Sequence, residues 1–129
     1  MLSLATAILV ITARLSWYQP ANCAVAPINC FNPDRWWNMA AGHDARDWYW
    51  RALACPSEFP IGTRFIIEGS RWNLADGIWQ CLDRGGRIII DEQGIVWLDL
   101  LTDKPIWADV LPVTVIRSDI HYVLRGNIR

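Results

Sequence analysis

The 129-residue sequence has no surplus of basic residues. Lysine and arginine together number 12 against 13 aspartate and glutamate residues, which gives a net charge of −1. Nucleic-acid-binding proteins recruit phosphates through a basic face, and no such face is visible here. We therefore expect no nucleic-acid partner. The sequence also contains no internal repeat and no low-complexity segment.

The metal-binding residue types are few and scattered. No C-x-x-C motif is present, and the two histidines stand apart from the four cysteines. Because structural zinc sites combine closely spaced ligands, we expect no metal site and no cofactor. Four cysteines allow three pairings, and paired disulfides are typical of exported proteins. The short interval between Cys23 and Cys30 is compatible with one small closed loop.

The N-terminal apolar run is shorter than a membrane-spanning helix. It extends over residues 2–13, with one serine and two threonines, and ends at Arg14. A spanning helix needs roughly 20 residues, whereas this length is typical of a signal-peptide core. We predict a secreted, periplasmic or envelope-associated protein. Extended through Trp17 and Tyr18, the run predicts a short anchor in contact with a membrane, and a buried N-terminal helix is a third alternative.

Short strands dominate the rest of the chain. Hydrophobic residues make up 53% of the sequence, enough for one domain with a real core. Glycine and proline separate short apolar runs rich in β-branched residues, which indicates a small mainly-β barrel or sandwich. Nine tryptophans are present. Some should line a surface or groove, where flat aromatic faces suit sugars or a membrane interface.

Two of the predicted strands each carry one aspartate. Residues 79–83 end in Asp83, and residues 97–101 contain Asp99, with a turn containing Gly85 and Gly86 between them. A carboxylate within an apolar strand is costly to bury without a partner, a surface position or a function. The two aspartates are therefore the first candidates for a functional site.

Five short motifs, in this order, resemble the double-psi β-barrel families. The nearest are the three-aspartate (3D) domain of peptidoglycan-remodelling proteins and the rare lipoprotein A-like barrels, which include lytic transglycosylases. The matching segments are Met39-Ala40-x-Gly42, Ala52-Leu53-Ala54-Cys55, Phe59-Pro60-Ile61-Gly62-Thr63-Arg64, Asp83-Arg84-Gly85-Gly86 and Leu98-Asp99-Leu100. The resemblance implies a six-stranded double-psi β-barrel with an acidic groove that acts on cell-wall glycan.

The resemblance also divides the chain. Residues 1–16 are the predicted signal peptide or anchor, 17–37 an extension containing cysteine and tryptophan, 38–117 the barrel, and 118–129 a C-terminal tail. The segments of Cys55 and Cys81 flank one groove in this fold, which implies a Cys55–Cys81 disulfide beside a Cys23–Cys30 bridge. Cys55 also stands where the family has aspartate or histidine, so one of its three acidic positions is missing.

The implied chemistry is cleavage of a glycosidic bond. In the catalytic relatives an aspartate at the position of Asp99 is the general acid/base, and Asp83 would support it. A hydrolase needs two carboxylates, about 5–5.5 Å or about 6.5–9.5 Å apart, whereas a lytic transglycosylase needs one acid because the sugar's own hydroxyl is the nucleophile. The predicted substrate-binding residues are Trp72, Trp79, Trp97 and Arg84.

Other functions are open at this point. The first is a non-catalytic barrel that binds carbohydrate or loosens the wall, as in expansin-like proteins. The second is a disulfide-stapled structural or interaction domain. In a structural role, Asp83 would accept hydrogen bonds from the amides of Gly85 and Gly86 and hold the turn. In either glycan-related case the predicted partner is peptidoglycan or a related polysaccharide, and the sequence predicts no particular oligomeric state.

Overall fold

A computed structural model describes residues 7–19, 38–71 and 73–117. These residues form six strands and two short 3₁₀ helices, with no α-helix among them. The described part of the chain contains no helix long and apolar enough to cross a membrane. The strands are β1 (Ala7–Tyr18), β2 (Ala52–Ala54), β3 (Arg64–Ile67), β4 (Gly77–Asp83), β5 (Val96–Leu101) and β6 (Asp109–Arg117).

The six strands close into one mixed barrel in the order β1-β5-β2-β4-β3-β6. The pairs β1–β5 and β2–β4 are parallel, and the other four pairs are antiparallel. The predicted class, a small mainly-β protein with a six-stranded barrel, is confirmed. Closure leaves the sheet without an unpaired edge strand.

The barrel is not confined to residues 38–117. Only five of its strands lie in that range, and the sixth is β1, which pairs with β5 on one side and β6 on the other. Residues 7–16 of the predicted signal peptide or anchor are therefore part of the barrel, and they are strand rather than the buried helix of the third alternative. Residues 1–6, 20–37 and 118–129 lie outside the described residues.

The barrel interior is filled by alternate residues of every strand. Inward-facing positions follow the period of two, as in Ala13 and Leu15 of β1 or Leu98 and Leu100 of β5. The largest buried side chains of this core include Trp79, Phe65, Leu15, Leu53, Ile67, Leu98, Leu100, Val113 and Val115.

A second apolar cluster lies on the outer side of the barrel. Met39 and Ala45, from the segment before β2, pack with Ala52, Leu82 and Leu101. Asp44 caps the first 3₁₀ helix, Ala45–Asp47, by accepting a 2.9 Å hydrogen bond from the Arg46 amide. The sequence predicts that Asp44 or Asp47 caps a short helix running toward residue 54. Asp44 is the cap, but the helix has only three residues and β2 begins at Ala52. This segment covers β2, β4 and β5 and forms one wall of the site described next.

Candidate active site

Asp83 and Asp99 lie on the outer face of the barrel, on either side of β2. Ala54 of β2 pairs with Asp83 of β4 and with Asp99 of β5, while Ser16 of β1 pairs with Asp99. Directly paired residues project to the same face of a sheet. Two strand spacings of about 4.8 Å separate the two aspartate backbones, so their Cα atoms lie about 9–10 Å apart.

An irregularity in β4 brings Asp83 to this face. Strict alternation would place Asp83 with Trp79 and Cys81, which point into the core. The register of β2 and β4 shifts after Leu53, so Leu82 is skipped and Ala54 pairs with Asp83. An extra residue of this kind redirects the side chain that follows it.

Asp99 is half-buried and has a single side-chain donor among the described residues. The Ser16 hydroxyl donates a 2.9 Å hydrogen bond to its Oδ1 atom. Burial raises the pKa of Asp99, the Ser16 hydrogen bond opposes this, and the negative charge of Asp83 adds to the rise. A carboxyl group in such a setting holds its proton to higher pH than an exposed one, which is the property of a general acid.

Asp83 is held by three donors. Its Oδ2 atom accepts a 2.8 Å hydrogen bond from the Tyr18 hydroxyl, and its Oδ1 atom accepts 2.9 Å bonds from the amides of Ala40 and Arg84. Three donors fix the orientation of this carboxylate. The structural role predicted for Asp83 used the amides of Gly85 and Gly86 as donors, and these amides are not among its three donors. Asp83 instead connects β1, β4 and the segment before β2.

Tyr18 lies near both carboxylates. Burial, the charge of Asp83 and the hydrogen bond to Asp83 raise its pKa well above the ordinary value, with a smaller contribution from Asp99. Tyr18 therefore remains protonated and acts as a donor. Sequence reasoning missed both Tyr18 and Ser16, because the predicted signal peptide or anchor includes Ser16, and Tyr18 falls in the predicted extension or in the longer anchor. The alternation of Ala13, Leu15 and Trp17 with polar residues was the available signal of a strand.

The three predicted tryptophan contacts fall in different places. Trp97 is half-buried and lies on the same face as Asp99, two residues before it. The Trp97 Nε1 atom donates a 3.1 Å hydrogen bond to Asp91, and the Arg14 guanidinium lies 5.1 Å from the centroid of the Trp97 ring. Trp79 is 1% exposed in the core, with its Nε1 atom bonded to a backbone carbonyl, so its ring has no face open to a ligand. Trp72 lies outside the described residues.

Arg84 faces away from the two carboxylates toward a cleft. Its Nη1 atom donates to the carbonyls of Cys55 at 3.2 Å and Pro56 at 2.8 Å. The cleft has a volume of about 500 Å³ and is not lined by Asp83 or Asp99. Its lining residues are Cys55, Ser57, Arg84, Gly85, Gly86, Ile88 and Ile89. Arg84 thus anchors the loop after β2 and borders a separate depression.

The predicted Cys55–Cys81 disulfide is present. Both cysteines are fully buried in the barrel core, with Cα atoms 5.7 Å apart. This bond is consistent with an oxidising extracellular environment. Cys23 and Cys30 lie outside the described residues, so their pairing stays a prediction. Within the described ranges, no group of three or more histidine, cysteine, aspartate or glutamate side chains is placed to hold a metal ion.

The site therefore consists of Asp99, Ser16, Asp83 and Tyr18, with Trp97 beside it. One carboxyl has its proton affinity raised by burial, and the other is held by three donors. No protein-family model matches this chain, and no curated protein matches its sequence. What can be said of its class therefore comes from the fold, a closed six-stranded mixed β-barrel.

Proposed function

We propose that this chain is an exported protein that cleaves cell-wall glycan, with Asp99 as the general acid/base of a lytic-transglycosylase-like reaction. The observation that carries the proposal is the half-buried Asp99 carboxyl, whose pKa is raised while Asp83 stands at the same level of the sheet. The closed barrel is compatible with the double-psi family that the motifs resemble. A buried disulfide supports an exported protein.

The two aspartates differ in their hydrogen bonding, and this difference favours a mechanism with one catalytic carboxyl group over a mechanism with two. A hydrolase needs a second carboxylate free to act as nucleophile or to activate water. Asp83 already accepts three hydrogen bonds, from Tyr18, Ala40 and Arg84. It supports the site through its charge and leaves the proton transfers to Asp99.

The reaction has two proton transfers at Asp99. The protonated carboxyl donates its proton to the glycosidic oxygen as the bond to the anomeric carbon breaks, and the leaving sugar departs as an alcohol. The Asp99 carboxylate then accepts a proton from a hydroxyl of the remaining sugar, and that hydroxyl oxygen bonds to the anomeric carbon. Asp99 ends protonated, and no water is consumed. Trp97 offers an aromatic surface beside this position for a sugar ring.

Cleavage of purified peptidoglycan in isotopically labelled water tests the proposal. The parent protein should release soluble fragments without incorporating label, and Asp99→Asn should reduce the rate by about 10²–10⁴-fold without loss of folding. Glu58→Gln, at an exposed carboxylate that is not one of the site residues, is the matched control and should retain full activity. Incorporated label would indicate hydrolysis, and undiminished cleavage by Asp99→Asn would remove Asp99 from the mechanism.

A non-catalytic wall-binding barrel is the second candidate. It is favoured by Cys55, which occupies a position that is acidic in the resembling family and is buried in a disulfide here. In that case the parent protein binds peptidoglycan in a sedimentation assay and releases no fragments. Asp99→Asn should then change the affinity only modestly, because asparagine keeps the shape of the side chain and its ability to form hydrogen bonds.

A further inference from the structure

An exposed apolar patch covers the outer face of β1, β6, β3 and β4, away from the two aspartates. Val10 pairs with Thr114, which pairs with Ile66, which pairs with Ile78, so these side chains form one row across four strands. The next row places Ile8 beside Ile116. We call Ile8, Val10, Ile66, Ile78 and Ile116 the outer patch.

The outer patch is unusually open for aliphatic side chains. Ile8 is 69% exposed, Val10 67% and Ile78 61%. Single exposed apolar residues are ordinary, whereas large contiguous apolar patches are rare on monomeric proteins and mark interaction surfaces. No described segment packs over this face, whereas the opposite side of the barrel is covered by the segment before β2.

Two opposite charges flank Ile66 on the outer face: Arg64 begins β3, and Glu68 directly follows its last residue. Arg64, Ile66 and Glu68 alternate with the buried Phe65 and Ile67, so the first three share the outer face. Arg64 and Glu68 are exposed, and among the described residues neither has an ion-pair or hydrogen-bonding side-chain partner. They cannot pair with each other, because four extended residues separate them by about 13 Å.

We infer that the outer patch is the interface of a homodimer. In such a dimer the two sheets face each other, and the two-fold axis lies between them. The axis passes over Ile66 at right angles to β3, so the β3 strands of the two copies run in opposite directions. Ile66 then meets Ile66 of the second copy, and Arg64 meets Glu68 of the second copy in both halves of the interface. Isologous dimers use one self-complementary patch in this way, and packed β-sheets align their strands closely.

A second copy fits this surface better than an anionic partner. The two exposed charges flanking Ile66 have opposite signs, so the surface around Ile66 does not attract a nucleic acid or an acidic lipid surface. A second copy satisfies both charges at once and covers the aliphatic residues. The inference is independent of the glycan-cleaving function, because Asp99 and Trp97 lie on strand β5, outside the patch.

Sedimentation equilibrium of the full chain tests the dimer. The parent protein should be dimeric and Ile78→Lys monomeric, while Ile89→Lys, an exposed isoleucine outside the patch, should remain dimeric. Near-ultraviolet circular dichroism verifies that each variant is folded. A parent protein that stays monomeric up to millimolar concentration would overturn the inference.

Charge reversal tests the symmetry itself. Arg64→Glu places two acidic residues opposite each other in each half of a homodimer, and Glu68→Arg places two basic residues there. Each change alone should weaken self-association by about tenfold or more. The double variant R64E/E68R should restore it, and an equimolar mixture of the two single variants should form heterodimers. A dimer unaffected by all of these changes would overturn the proposed interface.

Discussion

The Ser16 hydroxyl donates a 2.9 Å hydrogen bond to the Asp99 carboxylate from 83 positions earlier in the chain. Parallel pairing of β1 with β5 brings the two residues level, so the contact exists only in the closed barrel. A hydroxyl donor favours the charged form of a carboxyl, and here it opposes the effect of burial on the pKa of Asp99.

Ser16→Ala should raise the pKa of Asp99 further, because the donor that lowers it is lost. If Asp99 is the general acid, the basic limb of the pH–rate profile should move to higher pH. The free energy of unfolding at neutral pH should fall by about 1–3 kcal/mol, the range for a lost hydrogen bond to a charged group. NMR titration of the Asp99 carboxyl measures the first effect. Ser57→Ala, an exposed serine, is the control, and an unchanged Asp99 pKa would contradict the assignment.

Asp99→Asn should change the pH dependence of stability in a defined direction. The pKa of Asp99 in the folded state is raised above its ordinary value of 3.8, so the folded state binds this proton more tightly than the unfolded state. Its stabilising contribution is full below pH 3.8 and is lost as the pH rises through the raised folded-state pKa. Asparagine does not titrate. The variant should therefore gain stability relative to the parent across that window, measured by urea unfolding at a series of pH values; a decreasing difference would show the opposite shift.

Removal of the Cys55–Cys81 disulfide should lower the free energy of unfolding by about 2–4 kcal/mol, the typical contribution of a disulfide. The bond closes a 26-residue separation between two fully buried positions. Denaturant unfolding of the Cys55→Ala/Cys81→Ala double variant measures the effect. Peptide mapping of the parent without reduction is the control: it should recover the Cys55–Cys81 link and tests the predicted Cys23–Cys30 bridge. A Cys23–Cys81 link would contradict both.

Deletion of residues 1–16 should abolish cooperative folding. It removes residues 7–16 of β1, including Ala13 and Leu15 of the core, and leaves β5 and β6 without their shared partner. Loss of the near-ultraviolet circular dichroism signal and of a sigmoidal urea transition is the expected result. Deletion of residues 1–6 alone leaves β1 intact and is the matched control. A stable barrel without residues 1–16 would show that β1 is dispensable and would favour the signal-peptide interpretation.

The failure to predict β1 has a physical cause. Its inward residues alternate in the usual way, but the outward residues Ile8 and Val10 are also apolar and exposed. In this first part of β1 the outward aliphatic side chains remove the polar half of the alternation, and the segment then has the composition of a signal-peptide core. The same residues contribute to the outer patch and account for the predicted boundary at residue 16.

The tryptophans show a second limit. Trp79 and Trp97 both lie in strands with clear alternation, yet Trp79 fills the core and Trp97 lies on the outer face beside Asp99. Alternation indicates that neighbouring side chains point in opposite directions, but it does not predict which of the two sets of side chains faces the core. The choice depends on the pairing register of each strand with its neighbours.

The sequence alone determined that the chain is mainly β, which strands carry Asp83 and Asp99, and that these two carboxylates form the candidate site. It could do so because local periodicity and the cost of burying a charge depend only on nearby residues. The tertiary structure decided which strand closes the barrel, that Leu82 is skipped so that Asp83 joins the outer face, and that Ser16 and Tyr18 complete the site. These features arise from pairing between distant segments. The free energy that stabilises these contacts comes from the closure of the whole barrel, and a local sequence pattern does not predict it.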